Sequence, residues 1–310
     1  MDPVTIFALV AAVFMGISIG ASSVAPSFAP VNSSGKSNVM RLALLAGVFA
    51  FIGSVVQGQN VADTVGSGIL FGSITTFQAA SILLVGSGLV IVSVLTDYPM
   101  PTAFTVVGAV IGSGIGFGNA LNFEEIGMVV GFWLATPVVA LVLAYIFAKA
   151  IRRFVPKEGS ERLINYLLLI SGSYVAYTAG AASVGLAVGP LQGLQMSTTS
   201  LLLLGGLAIL LGSWMISPRI IKAVAYDYSN VGPRRSVAAL AASGLLAQAG
   251  IQIGAPVSFN LAIVAAVIGS GLVESTENRS DEKIHRTVLA WIGAFILAIV
   301  LTAGIGLLFG

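Results

Sequence analysis

The chain has no cysteine among its 310 residues and a single histidine, His285, flanked by Lys283 and Arg286. The first absence excludes disulfides and thiol chemistry. With one histidine, neither a catalytic triad nor a histidine-based metal cluster can be assembled. Charge is scarce as well: Asp, Glu, Lys and Arg make up 8% of the sequence, against about 25% in soluble domains. The 14 basic and 12 acidic residues leave a formal charge of +2. That is too little, and too scattered, for a nucleic-acid-binding face. These shortages argue against an enzyme, a resident metal, a prosthetic cofactor or a nucleic-acid partner; no catalytic residue is expected.

Apolar residues fill the gap. Hydrophobic residues account for 57% of the chain and the mean hydropathy is +1.01. Charge-free runs cover 3–35, 42–62, 64–96, 98–123, 126–148, 163–218, 236–273 and 287–310. A helix crosses a bilayer with about 20 residues, so the longest run must hold two passes. About 10–12 inserted segments are expected. The first run lacks a basic leader and reads as a first membrane helix rather than a signal peptide. The segment from Lys149 to Arg162 gathers Lys149, Arg152, Arg153, Lys157 and Arg162. Basic loops stay on the cytoplasmic side, which places this one there and the chain in the cell membrane of a prokaryote.

Within the apolar runs two stretches cannot continue as smooth helix. Gly20-Ala21-Ser22-Ser23-Val24-Ala25-Pro26-Ser27-Phe28-Ala29-Pro30 combines small residues, hydroxyls and two prolines, and proline removes a donor and clashes with the preceding turn. Gly180-Ala181-Ala182-Ser183-Val184-Gly185-Leu186-Ala187-Val188-Gly189-Pro190 repeats it 160 residues later, matching at Gly, Ala, Ser, Val and the last Pro. A second landmark, Val110-Ile111-Gly112-Ser113-Gly114, recurs identically as Val267-Ile268-Gly269-Ser270-Gly271, 157 residues on. Two landmarks at nearly one offset indicate an internal duplication. The expected fold is an all-α polytopic membrane protein of two inverted-topology repeats, with broken helices and re-entrant hairpins. Residues 1–148 form the first repeat, 149–162 the basic cytoplasmic linker and 163–310 the second repeat.

Most of the 37 glycines are expected at helix crossings, where small residues let backbones approach. Gly35-Lys36-Ser37 lacks the leading glycine and the strand of a phosphate-binding loop. Asp63, Asp97, Glu124, Glu125, Asp227 and Glu274 end apolar runs and read as interfacial. Asn32-Ser33-Ser34 and Asn278-Arg279-Ser280 fit a glycosylation sequon with nothing to support it. The hydroxyls beside the breaks are the binding candidates: Ser22, Ser23 and Ser27, then Thr102 after Pro99-Met100-Pro101, Ser183, and Ser258 with Asn260 in Pro256-Val257-Ser258-Phe259-Asn260-Leu261. Gly20 and Gly180 join them through backbone groups freed at the breaks. Each hydroxyl can simply re-satisfy freed backbone. Their occurrence in four segments, paired by the repeat, favours a cavity where helix N-termini suit an anion.

At these four segments the chain resembles the inorganic phosphate transporter (PiT) family. That family carries Gly-Ala-Asn-Asp-Val-Ala-Asn twice and a Pro-Val-Ser-Thr-Thr-His element later in each repeat. Here the signatures read Gly20-Ala21-Ser22-Ser23-Val24-Ala25-Pro26 and Gly180-Ala181-Ala182-Ser183-Val184-Gly185-Leu186; the later elements begin at Pro99 and Pro256, and Val288-Leu289-Ala290-Trp291-Ile292 is similar to the last helix. Both Asn-Asp pairs are replaced, by Ser22-Ser23 and Ala182-Ser183. In the family those carboxylates help to hold sodium and complete the phosphate site. A divergent sulfate-permease branch also loses its first Asp, and the chain is similar to that branch. The resemblance implies a secondary active permease of a tetrahedral oxyanion, sulfate before phosphate. The two inverted repeats suit alternating access, and the cost of moving a dianion into a negative interior calls for a co-transported cation, a proton before sodium, with Asp97 and Asp227, each beside a discontinuous region, as the candidate carriers. A sodium-coupled phosphate symporter is the alternative, an anion channel or non-transporting receptor a more distant one. The partners are the anion and the lipid bilayer, with a homodimer allowed.

Overall fold

The computed structural model describes residues 2–28, 38–96, 101–156, 158–216, 232–273 and 281–310; for Ala25, Pro26, 93–96 and 281–288 only the backbone is described. Asp97, Asp227, Glu274, Lys157, Gly35-Lys36-Ser37 and both sequons lie outside these residues, as does the side chain of His285.

Eleven α-helices carry the described chain: α1 Pro3–Ile19, α2 Val39–Gln57, α3 Gln59–Asp63, α4 Thr76–Thr96, α5 Thr102–Phe117, α6 Phe123–Phe154, α7 Glu161–Val188, α8 Thr198–Met215, α9 Pro233–Gln252, α10 Phe259–Gly271 and α11 Asp281–Phe309. No strand occurs among the described residues, only one isolated bridge between Leu70 and Leu121. Six helical segments are long and apolar enough to cross a membrane, and α5 and α10 are shorter apolar helices. The surface explains the missing charge: Leu134, Val138 and Val142 on α6, and Ile296 and Val300 on α11, are exposed. In water such a face would aggregate; in a bilayer it is the solvated side. The chain is an all-α, multi-pass membrane protein.

Helix starts recur at a near-constant spacing. α1 pairs with α7, α2 with α8, α4 with α9, α5 with α10 and α6 with α11, and the starts differ by 157 to 159 residues. The packing recurs with them. α1 lies on α4 and α8, as α7 lies on α9 and α2; α5 packs on α11 as α10 packs on α6; α2 and α8 meet each other. Exchanging the two members of each pair maps these contacts onto one another. α4–α5 and α9–α10 are antiparallel pairs. Gln78 at the start of α4 donates to Ser113 Oγ near the end of α5 at 3.1 Å, and Gly271 at the end of α10 faces Arg235 at the start of α9.

The two ends of the bundle differ in charge. Arg234 donates to the carbonyls of Val155 and Pro156, and Arg152 to that of Val273 at 3.0 Å. These contacts gather the end of α6, the start of α9 and the end of α10 around the basic segment. At the opposite end Gln248 donates to Gln57 Oε1 at 3.1 Å, Asn60 to the Ile251 carbonyl at 3.2 Å, and Gln192 to Asp63 Oδ1 at 2.6 Å. Asp63, Glu124 and Glu125 sit there, the first two exposed and the third half-buried. Basic side chains thus gather at one end, where Glu158 and Glu161 are also exposed, and the acidic residues just named lie at the other.

Glycines fix how closely the helices cross. A Cβ on Gly20 would collide with the Ile209 carbonyl on α8, and one on Gly212 with Ile17 on α1. In the other half, Gly180 abuts Ala50 on α2, and Gly53 abuts Tyr177 on α7. Gly112 against Ile299 and Gly269 against Leu141 form a third reciprocal set. Such approach is what helices need where lipid gives them no hydrophobic drive to associate. Gly112→Val should therefore cost about 1–3 kcal/mol through overpacking, read as a lower melting temperature in detergent. Gly131→Val, where an added side chain meets nothing within 4 Å, should leave the melting temperature unchanged.

Candidate functional site

The first break is a change of winding. α1 ends at Ile19, a π-helical segment runs from Gly20 to Val24, and a 3₁₀ turn containing Pro26 follows from Ala25 to Phe28. The second differs. α7 continues as α-helix through Gly180 and gives way only at Gly189, where a 3₁₀ turn to Gly193 contains Pro190. Proline at the first turn of that short helix fits its missing N–H. The break of the second repeat therefore lies at the end of its stretch, and Gly180 stands inside a helix.

Four of the predicted hydroxyls gather at the first break. Ser22 donates to the Ser18 carbonyl at 2.8 Å and its oxygen lies 3.4 Å from Ser23 Oγ. Ser23 Oγ is 3.3 Å from Thr102 Oγ1, a link across 79 residues from the π segment to the first residue of α5. Ser27 turns back on its own segment and donates to the Val24 carbonyl at 2.6 Å, re-satisfying freed backbone. Gly20 and Gly180 are held in the helix crossings described above.

Thr102 opens α5 with no side-chain cap, since its N-cap is Pro101. The residues there are deeply buried: Thr102 is 4% exposed and Ala103 0%. A helix start leaves backbone N–H groups without intrahelical partners and carries partial positive charge. Buried and uncapped, it is a place prepared for an acceptor. α10 starts in a matching setting. Ser258 is its N-cap, accepting from Leu261 N at 3.4 Å, and Ala255, Val257, Ser258, Phe259 and Asn260 are all buried. α7 packs against the π segment and α5. On α7, Ser183 is 1% exposed and its hydroxyl has no hydrogen-bond partner. Among the described residues no Asp, Glu, Lys or Arg is buried. The interior offers an anion hydroxyls, amides and helix ends, with no fixed charge.

One residue of this neighbourhood escaped the reading of the sequence. Trp133 on α6 stacks on Phe104, in the first turn of α5, with ring centroids 4.1 Å apart. Its indole N–H donates to the Pro256 carbonyl, just before α10, at 2.7 Å. The starts of α5 and α10, one from each half, therefore lie within the span of a single indole. The signal was available in the spacing: Trp291 follows Trp133 by 158 residues, the offset separating α6 from α11. Thr105, fully buried and donating to the Thr102 carbonyl at 2.9 Å, was also passed over.

With this geometry in hand, known proteins give a consistent comparison. Residues 19–302 match the model of the phosphate transporter family. The sulfate permease CysP of Bacillus subtilis is 26% identical over 92% of this chain and 82% of its own length. A protein of Methanocaldococcus jannaschii with a provisional phosphate-permease name is 23% identical over 91% of this chain and 90% of its own. A solved structure described as the sodium-dependent phosphate transporter superposes with a TM-score of 0.89, covering 99% of both chains at 19% identity. That last likeness speaks for the fold.

The hydroxyls differ in what their removal should do to the fold. Ser23→Ala deprives Thr102 of its partner and should lower stability by about 1 kcal/mol, and a double-mutant cycle with Thr102→Val should recover a coupling of about that size. Ser183→Ala removes a buried hydroxyl that has no partner, so the melting temperature should hold or rise.

Proposed function

The chain belongs to the phosphate transporter family, which makes it a permease of inorganic anions, and we propose that the anion it carries is sulfate. The observation that supports this reading is the buried, uncapped start of α5 beside the Ser23–Thr102 pair, in an interior without buried charge. Sulfate near neutral pH is fully deprotonated and only accepts hydrogen bonds. Phosphate keeps a proton, and a site selective for it benefits from a carboxylate to receive that proton. Here Ser22-Ser23 and Ala182-Ser183 stand where a carboxylate would serve. A fixed carboxylate facing a dianion would repel it, and the low dielectric of a buried site enlarges the cost. The 26% identity to a protein named as a sulfate permease points the same way.

The roles divide accordingly. Ser23, Thr102, Ser183, Ser258 and Asn260 supply side-chain donors, and Ser22, whose proton goes to the Ser18 carbonyl, lines the site beside Ser23. Gly20 lets α1 close on α8 and Gly180 lets α7 close on α2, so that the two halves can enclose one ion, and Ser27 holds the turn that follows the π segment. The two halves, 1–148 and 163–310 around the 149–162 linker, rock about this centre to give alternating access. Bringing a dianion into a cell at 100 mV negative inside costs about 4.6 kcal/mol, so accumulation needs a cation moving with it. We assign protons to that part. Sodium coupling with phosphate is the second reading, favoured by the structural neighbour's description.

Uptake of labelled sulfate and phosphate into proteoliposomes, with pH and sodium gradients imposed separately, decides between these readings. Sulfate should accumulate under an inward proton gradient and phosphate should compete poorly; phosphate uptake alone, driven by sodium, would overturn the assignment. Ser183→Ala should raise the half-saturation concentration for sulfate about ten-fold or more, the worth of one hydrogen bond to a charged group, with its thermal stability intact.

A further inference from the structure

Trp133 makes two contacts that nothing else among the described residues makes together. Its ring stacks on Phe104 in the first turn of α5, and its N–H bonds the carbonyl of Pro256, two residues before the N-cap of α10. Trp133 is itself 6% exposed and is held from a third side by Phe295 of α11, edge-on at 6.1 Å. It sits on α6, a helix with Pro137 one turn beyond it and a continuous backbone on either side. The residue thus reaches from a continuous helix to both proline-anchored starts, one from each repeat, and its hydrogen bond goes to neither the Ser23–Thr102 pair nor Ser183.

We propose that Trp133 is a positioning residue that sets the separation and relative orientation of the α5 and α10 starts. The proposal rests on the functional reading above, because it gives that separation its purpose. The physical case is as follows. A short helix start preceded by proline has few bonds to hold it: Pro101 and Pro256 donate none. Phe104 and the Pro256 carbonyl are the nearest points at which each start can be gripped without using the groups reserved for an anion. A carbonyl bonded by a buried indole is costly to abandon, since loss of the donor leaves a desolvated acceptor. The stacked ring adds a second, orientation-dependent restraint. An oxyanion held by donors from two separate helix starts is sensitive to their spacing by tenths of an ångström, as hydrogen bonds weaken steeply away from about 2.9 Å.

Trp133→Phe separates the two contacts, keeping an aromatic ring on Phe104 and removing the donor to Pro256. Hydrogen exchange followed by mass spectrometry should show faster exchange in 254–262, and then in 101–107, with 39–57 unchanged. In proteoliposomes the half-saturation concentration for sulfate should rise about three- to ten-fold, the equivalent of one lost hydrogen bond, with the maximal rate less affected. Trp214→Phe, at an exposed position, should change neither. A purely structural role would instead lower the melting temperature and the amount of active protein while leaving the half-saturation concentration in place, and that result overturns the proposal. If Trp133→Phe does not fold, Trp214→Phe/Trp291→Phe leaves Trp133 as the sole tryptophan. Its emission should shift as sulfate is added, and an emission blind to saturating sulfate counts against the proposal. Absence of sulfate uptake by the unsubstituted protein would remove the functional reading; the exchange comparison would still decide whether Trp133 holds both starts.

Discussion

Close crossing of helix backbones is the constraint on which the rest of this molecule depends. Lipid removes water as a partner for the backbone and removes the hydrophobic drive that would press helices together. What remains is packing, and packing at this distance is permitted only where a side chain is missing. Gly20 and Gly212 bring α1 onto α8, and Gly180 and Gly53 bring α7 onto α2, each glycine lying against a carbonyl of its neighbour. Because α2 and α8 also meet, these four helices form a continuous central body. The short pairs α4–α5 and α9–α10 dock on it, with α6 and α11 closing the outside. The position of Ser23 opposite Thr102 is a result of that docking.

The architecture was legible in the sequence to an unusual degree, since lipid imposes a strong pattern. Charge-free runs gave the helices, and two landmarks 160 and 157 residues apart gave the duplication that the helix starts and their neighbours echo. Basic residues between Lys149 and Arg162 lie at one end of the bundle, and Asp63, Glu124 and Glu125 lie at the other. Local winding was harder to read. Gly20–Val24 and Gly180–Val184 have nearly the same sequence, yet the first is π-helical and the second α-helical. The difference comes from what each packs against and from prolines placed at different distances, which no local propensity contains.

The candidate site was legible in its residue types and less so in its wiring. Hydroxyls beside prolines announced themselves, and Ser23 and Thr102 meet across the fold at 3.3 Å, a contact between two segments that the repeat does not pair. Whether a given hydroxyl is spent on the backbone could not be read. Ser27 is spent on Val24, whereas Ser183 has no partner at all, though both sit in similar company in the sequence. Trp133 was invisible to a search for polar groups at breaks, because its part in the site is to hold other residues rather than to face the cavity.

The sorting of charge between the ends has a kinetic side. Asp63, Glu124 and Glu125 lie at the end away from the 149–162 segment, and basic residues outnumber Glu158 and Glu161 at the other. An anion diffusing toward the acidic end meets like charge, which slows its capture; one leaving at the basic end meets opposite charge, which holds it in the local solution. Both effects fade beyond about 8 Å at physiological ionic strength. Salt therefore acts in opposite directions at the two ends: it quickens encounter at the acidic end and loosens retention at the basic one, so the two directions of flux acquire different ionic-strength dependences.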